Sequence, residues 1–326
     1  EPRMAGRQIP NPGRSRAKPR LRLPCGYQLR FSDDGSLLLC IGRRISLFDL
    51  SRGERLWFGR QVRYPSHGSF SPDGARLAIK NTSGRIVVLK TCSGEIINDF
   101  RNQKDGEGCG VHFAPTGEEL IDGSWRDRIT VRDSQSGTAR SREVFPGEMI
   151  VSISHDIMRH HWLVGHCPRL DPEKPGIPPR KGYVRFRNWP FRPEEDRILR
   201  FPYFVQGAAL SPGGDLFCFS EISPNPRIYI ASTGDGSITA ESQPLAHAWP
   251  KKETCWSPDG AVIATVQRGK FVFYRSSDLT VAGEVPATYP SSVAFRPGSE
   301  ELALGTWQES KIVMLRDIMA GTVRLK

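Results

Sequence analysis

The sequence predicts an all-β protein closed into a ring of seven four-stranded antiparallel sheets, a seven-bladed β-propeller. Three observations predict it. A turn motif recurs seven times at nearly regular spacing, short apolar strand patterns with a second turn follow each copy, and 32 Gly and 26 Pro in 326 residues punctuate β-branched and aromatic runs throughout.

The seven copies are FSDDG from Phe31, FSPDG from Phe70, FAPTG from Phe113, ISHDI from Ile153, LSPGG from Leu210, WSPDG from Trp256 and FRPGS from Phe295. Their spacings of 39, 43, 40, 57, 46 and 39 residues mostly match the ~40–45 residues of a four-stranded blade. After each turn comes an apolar strand, as in Leu37 to Ile41 and Val262 to Val266. A short polar link and a β-branched or alternating strand follow, as in Ile45 to Phe48, Ile86 to Leu89, Phe271 to Phe273 and Ile312 to Met314. Gly53, Gly94, Gly137, Gly236 and Gly321 lie a few residues beyond that third strand, where a tight hairpin needs positive φ. A fourth strand closes the unit, as in Arg55 to Phe58 and Glu95 to Phe100. Four-stranded sheets that cannot cover both faces alone bury them against their neighbours, and a ring leaves only short edges. The outer strand of the last blade has two candidate sources, Thr322 to Lys326 and the segment around Leu21 to Leu23.

The fourth repeat is the outlier because residues 167–182, with five prolines and no β run, separate its second and third strands as a protruding loop. Residues 1–24 form a different unit: seven basic side chains, one acid, five prolines and no aromatic make a flexible arm of net charge +6 within a total of +11. The ring therefore occupies 25–326. The longest apolar runs fall far short of the ~20 residues that cross a bilayer. The arm has neither the apolar centre of a secretory signal nor an unbroken amphipathic helix, and the seven cysteines form no CxxC pair, so the chain reads as intracellular, cytoplasmic or, in a eukaryote, nuclear. Cys40 and Cys218 sit inside apolar strands and read as small core residues.

The run GSWRDRITVRDSQSG, from Gly123 to Gly137, together with the FSPDG turns, resembles the WD-repeat family over about residues 25–326. Asp127 stands where that family places its turn aspartate, and Asp49, Asp133 and Asp317 stand at third-strand ends. The FSPDG turn followed by Leu-Ala is also similar to propellers of the TolB type. No Trp-Asp dipeptide occurs, so the blades rely on apolar packing more than on the family's polar network. The WD-repeat resemblance implies an interaction scaffold within a multiprotein complex.

GxSxG, Walker A, HExxH and GxGxxG-to-helix patterns are absent, which removes the common enzyme classes. His155, His160, His161 and His166 cluster in sequence, but one strand points neighbours to opposite faces and sets His161 and His166 roughly 16 Å apart, so no metal site is expected, nor any cofactor. The first strands legible in the sequence, Gly207 to Leu210 and Ser291 to Phe295, offer small and apolar groups, so a catalytic site in the central channel is not expected either.

Charge counting gives a positive prediction. The links between second and third strands total +9, and the turns after first strands total −7. The two sets open on opposite faces of a propeller, so one face is basic. Its candidate partner-binding residues are Arg43, Arg44, Lys80 and Arg85 on the first two blades, Trp125 and Arg126 on the third, and Arg268, Lys270, Trp307 and Lys311 on the last two. Trp189 and Phe191, in RNWPFRP, are a secondary candidate: an exposed anchor or an aromatic plug over blade four. The expected function is a non-catalytic scaffold that binds an acidic protein segment on the basic face. The alternative is a nucleic-acid-associated module holding phosphates with the arm and that face.

Overall fold

The computed structural model describes residues 21–100, 108–125, 127–156, 158–169, 181–221, 223, 225–245 and 253–325. The first twenty residues of the arm, Arg126 and most of the insertion after Pro168 lie outside the described residues.

Seven antiparallel sheets follow one another along the chain, six of four strands and the seventh of three. Blade one is built from Gln28–Phe31, Leu37–Ile41, Ile45–Asp49 and Glu54–Gly59. The first strands of the others are Pro65–Phe70, Gly110–Phe113, Glu148–His155, Val205–Leu210, Thr254–Trp256 and Pro290–Phe295. These strands contact each other around most of the ring, so they are innermost and enclose the central channel. Since strands alternate in direction, second-to-third links and blade-to-blade links open on one side, here the link face. First-to-second and third-to-fourth turns open on the other, the turn face.

The core is divided. Apolar side chains of one blade pack against the next in seven separate layers, for example Leu39, Ile41 and Leu47 against Phe70, Ile79 and Val87, or Val184 and Phe186 against Phe217 and Tyr229. Cys40 and Cys218 belong to these layers and are fully buried. All seven cysteines are free thiols.

The recurring turn has one hydrogen-bond signature. Ser32, Ser71, Ala114, Ser211, Ser257 and Arg296 each accept at their carbonyl from the residue three on and donate their N–H across to the start of the next strand. In blade four Asp156 makes both bonds, to Arg159 and His161. The fourth repeat thus begins at His155, two residues later than the ISHDI alignment. The residue that closes its turn is Arg159 at φ 58°, where blades one, two, three, five and six carry glycine. A side chain in that left-handed region costs about 1–2 kcal/mol, so something must hold Arg159 there.

Asp49 and Asp133 do end third strands, but Asp317 lies in a short helix, Leu315–Met319, past the end of Ser310–Met314. Because the chain coils here, its tail does not supply the outer strand of blade seven. Leu23 instead makes an antiparallel bridge to Ser310 and packs with Leu29, Phe31, Ala294 and Ala303 between blades seven and one. The ring closes through its N-terminal segment and begins before residue 25.

Candidate functional site

The residues expected on the basic face divide into three groups. Lys80 is not on the face. Its ammonium is fully buried, donating to Asp122 at 2.6 Å and to the Gly123 carbonyl at 2.9 Å, while Arg132 holds the other Asp122 oxygen at 3.1 Å. This cluster joins blades two and three, and no partner reaches it. Arg85, Lys270 and Lys311 are half-exposed but paired with carboxylates, Arg85 with Asp99 at 2.7 Å, Lys270 with Glu284 at 2.6 Å and Lys311 with Glu309 at 3.3 Å. Asp99 and Glu284 belong to fourth strands, so a count over the links alone overstates the positive field. Arg43, Arg44 and Arg268 are exposed, and none makes an ion pair among the described residues.

The aromatic content of that face is larger than expected. Trp125 and Trp307 are 40% and 64% exposed, and Tyr64 and Tyr289, in blade-to-blade links, are 62% and 67% exposed. Both tyrosines precede a proline that opens a first strand, both sit at positive φ (54° and 52°), and both accept at their carbonyl from the second-to-third link of the next blade, from Thr82 and Trp307. Arg63 stacks over Tyr64 at 5.0 Å, and Arg44 and Arg55 flank the exposed Phe58 at 5.5 and 4.4 Å. Trp189 and Phe191 are half-buried and pack on the buried Trp162 at 6.4 and 5.8 Å, with the Arg187 guanidinium 4.2 Å over Phe191, the packing of an aromatic plug over blade four.

The central channel holds a cavity of about 520 Å3 whose wall mixes apolar groups with ionisable ones, the latter outside the two strands that predict an apolar channel. Aligning the blades by their turn hydrogen bonds puts Arg30, Ser69, His112, Ser154 and Cys255 at one level, two residues before each turn. Gln28, His67, Ser152 and Glu253 stand on the next level towards the link face, about 7 Å away at two residues of strand rise. His155 adds a third imidazole, its ring 5.3 Å from His112, and its Nδ1 lies 2.8 Å from the Asp156 carbonyl, which sets that nitrogen as the donor. Water reaches both rings, yet protein walls them on every side. Burial, with neighbouring positive charge, holds His155 down to about 3 and His112 well below the ordinary range, so both are neutral at pH 7. Burial pushes the Glu253 carboxyl up, against the pull of Arg30, and the Cys255 thiol up to about 12.

Arg159 lines the turn-face end of the channel. Its side chain is 3% exposed and donates to the carbonyls of Phe70 at 2.9 Å and Phe113 at 3.1 Å, and to both Asp33 oxygens at 3.0 and 2.7 Å. One guanidinium from blade four thereby ties blades one, two and three. The histidines that cluster in sequence disperse: His155 faces the channel, His160 is exposed, His161 pairs with Asp156 and His166 with Glu148. No group of three or more metal-ligating side chains forms among the described residues.

Sequence reasoning missed Arg30, His67, His112, Glu253, Tyr64, Tyr289 and Arg159. Two signals were present. Stacking the seven repeats on their turns puts Arg30, His112 and Cys255 in one column, and the Tyr-Pro pairs recur at one offset before Phe70 and Phe295.

No family model matches the chain, and no curated protein does. Solved structures share its fold. Hydrazine synthase of Kuenenia stuttgartiensis superposes with a TM-score of 0.72 at 14% identity, over 93% of this chain and 99% of that one. The Cps50 (Swd1) β-propeller domain of Myceliophteria thermophila does so with a TM-score of 0.69 at 14% identity, over 94% and 99%.

Proposed function

We propose that the chain is a non-catalytic interaction scaffold that takes an acidic segment of a protein partner on its link face and works within a multiprotein assembly. The observation that carries this reading is the gathering of Tyr64, Trp125, Tyr289 and Trp307, all well exposed, beside Arg43, Arg44, Arg63 and Arg268 on one face. Tyr, Trp and Arg dominate binding energy at protein interfaces because they bury large, partly rigid surfaces while keeping a polar handle. The exposed area of these rings gains little for the isolated fold. Two of them are also held at positive φ, a strain of about 1–3 kcal/mol of the kind found at binding sites. The arginines, which make no ion pair among the described residues, favour an acidic partner by steering and by charge-assisted hydrogen bonds. The free cysteines support a reducing, intracellular setting.

Fluorescence anisotropy of a labelled Glu/Asp-rich peptide against the full chain tests the reading. Trp307→Ala and Tyr289→Ala each weaken binding about tenfold, and Arg43→Glu with Arg268→Glu weakens it further with a shallower salt dependence. If the peptide does not bind near physiological salt, or binds equally to all variants, the face is not its site. A second reading, a module that contacts nucleic acid, has support in the stacking of Arg63 on Tyr64 and of Arg44 and Arg55 on Phe58, since such pairs also suit bases and phosphates. A random-sequence single-stranded RNA in the same assay separates the two.

A further inference from the structure

The described part of the fold matches its deeply buried cations to carboxylates. Lys80 and Arg132 share Asp122, Arg159 holds Asp33, and Arg185 and Arg187 share Asp196. The central channel breaks this pattern twice. Arg30, partly buried in its wall, makes no ion pair or side-chain hydrogen bond among the described residues, and the carboxyl of Glu253 makes none either. The two line one cavity, on adjacent levels and on blades one and six, close enough to feel each other's charge without touching.

We propose that the central channel is a binding site for a small zwitterion, an α-amino acid or similar aminocarboxylate, with its carboxylate on the Arg30 guanidinium and its ammonium on the Glu253 carboxylate. The charge inventory selects this class. His112 and His155 are neutral, the Cys255 thiol is protonated, Arg159 and Asp33 neutralise each other, Asp156 is paired with His161 and His67 has Ser66 beside its Nδ1, so Arg30 and Glu253 are the cation and the carboxylate of the wall that no ion pair among the described residues answers. A simple anion entering the cavity meets Arg30 but also Glu253, and a simple cation meets the reverse. A molecule carrying both charges answers both, and its ammonium offsets the burial that pushes Glu253 towards its neutral form. The backbones of Arg30 and Glu253 stand on levels about 7 Å apart and both residues line the cavity, so a hydrogen bond at each end of a short aminocarboxylate is within the reach of the two side chains. The cavity, about 520 Å3, lies within the size range of small-molecule sites and leaves space for a side chain against the imidazoles. The cavity runs along the ring axis, from Cys109 and Trp125 on the link-face side to Pro212, Pro258 and Pro297 on the turn-face side.

Calorimetric titration of the full chain with each of the twenty free L-amino acids and with glycine betaine tests the proposal, with propionate and propylamine as single-charge controls. At least one zwitterion binds with Kd below about 1 mM, and neither control does. Arg30→Gln and Glu253→Gln each weaken that binding about tenfold or more, while Arg30→Lys, which keeps the charge, retains most of it. Circular dichroism and the unfolding midpoint verify that the variants fold, and Trp307→Ala, which alters only the outer face, leaves the titration unchanged. Failure of every zwitterion at about 10 mM overturns the proposal. So does binding of propionate that Glu253→Gln strengthens, which makes the channel a plain anion site, or binding of propylamine that Arg30→Gln strengthens, which makes it a cation site.

Discussion

Replacing Arg159 tests whether one side chain holds four blades together. Its guanidinium donates four hydrogen bonds, two to main-chain carbonyls of blades two and three and two to Asp33 of blade one, and only 3% of it is exposed. Removing one member of a buried ion pair costs about 3–5 kcal/mol. Asp33 is 35% exposed, so water recovers part of this, and the expected loss for Arg159→Ala is about 3 kcal/mol. Arg159→Gly loses the same bonds but relieves the left-handed backbone, worth about 1 kcal/mol, so its loss is about 2 kcal/mol. The drop from wild type to Gly is the discriminating result, because a side chain that merely filled space would leave the glycine variant, freed of its left-handed strain, about as stable as wild type. Urea unfolding gives the free energies, and the thermal midpoint of the Ala variant falls by roughly 5–10 °C. Burial already pushes the Asp33 carboxyl up with Arg159 beside it, so both variants raise it further, visible by carboxyl NMR titration. An unchanged midpoint in Arg159→Ala, or a glycine variant as stable as wild type, would refute the staple.

Lys80→Met, which strips the buried Asp122 of one of its two cations, lowers stability by about 2–3 kcal/mol in urea unfolding, whereas Arg43→Ala on the open face stays within about 0.5 kcal/mol. The turn carboxylates of Asp73 and Asp259 are held low by the hydroxyls of Ser71 and Ser257, and those of Asp133, Asp235 and Asp278 by main-chain N–H groups of Ser136, Ser237 and Thr280. Their stabilisation is complete above the unfolded value near 3.9 and is lost as pH falls through the lower folded values, so the thermal midpoint drops steeply below about pH 4, and Asp→Asn at these turns flattens the drop. His155 and His112 act earlier: the unfolded chain takes up their protons below about pH 6.5 while the folded channel resists, so stability declines from there towards pH 3, and ring-proton NMR shows both titrating well below the unfolded value, His155 at about 3.

Much of the ring is legible in the sequence because its determinants are local. Each FSPDG-type turn and each hairpin glycine acts within a few residues, and Gly53, Gly94 and Gly137 do adopt positive φ. The fourth repeat misleads because Arg159 replaces the glycine, and its compensation comes from three other blades, beyond the reach of any window along the chain. The basic face is partly misread for a related reason. Arg85 and Lys270 look free in their links, but Asp99 and Glu284 return beside them one strand later, at register positions that only the folded blade pairs. Lys80 is disguised by its neighbours: ending an apolar strand beside Asn81, it resembles a link residue, while its partner Asp122 stands on the following blade. The channel is the least legible feature. Five of the seven first strands contribute between one and three polar residues to it, and nothing local marks Arg30 and Glu253 as sharing one cavity until the circle closes.

The bridge from Leu23 to Ser310 has a practical consequence for any manipulation of this chain. The basic arm is rooted in a latch: the few residues that follow it lie across the seam where the first blade meets the last. Trimming the chain at residue 24 to remove the arm would also unfasten that seam and expose the third strand of blade seven, confounding loss of charge with loss of closure. A cut after Arg20 separates the two. By the same geometry, a ligand that pulled on the arm would load the joint between blades seven and one, beside Trp307 and Tyr289, before any other part of the ring.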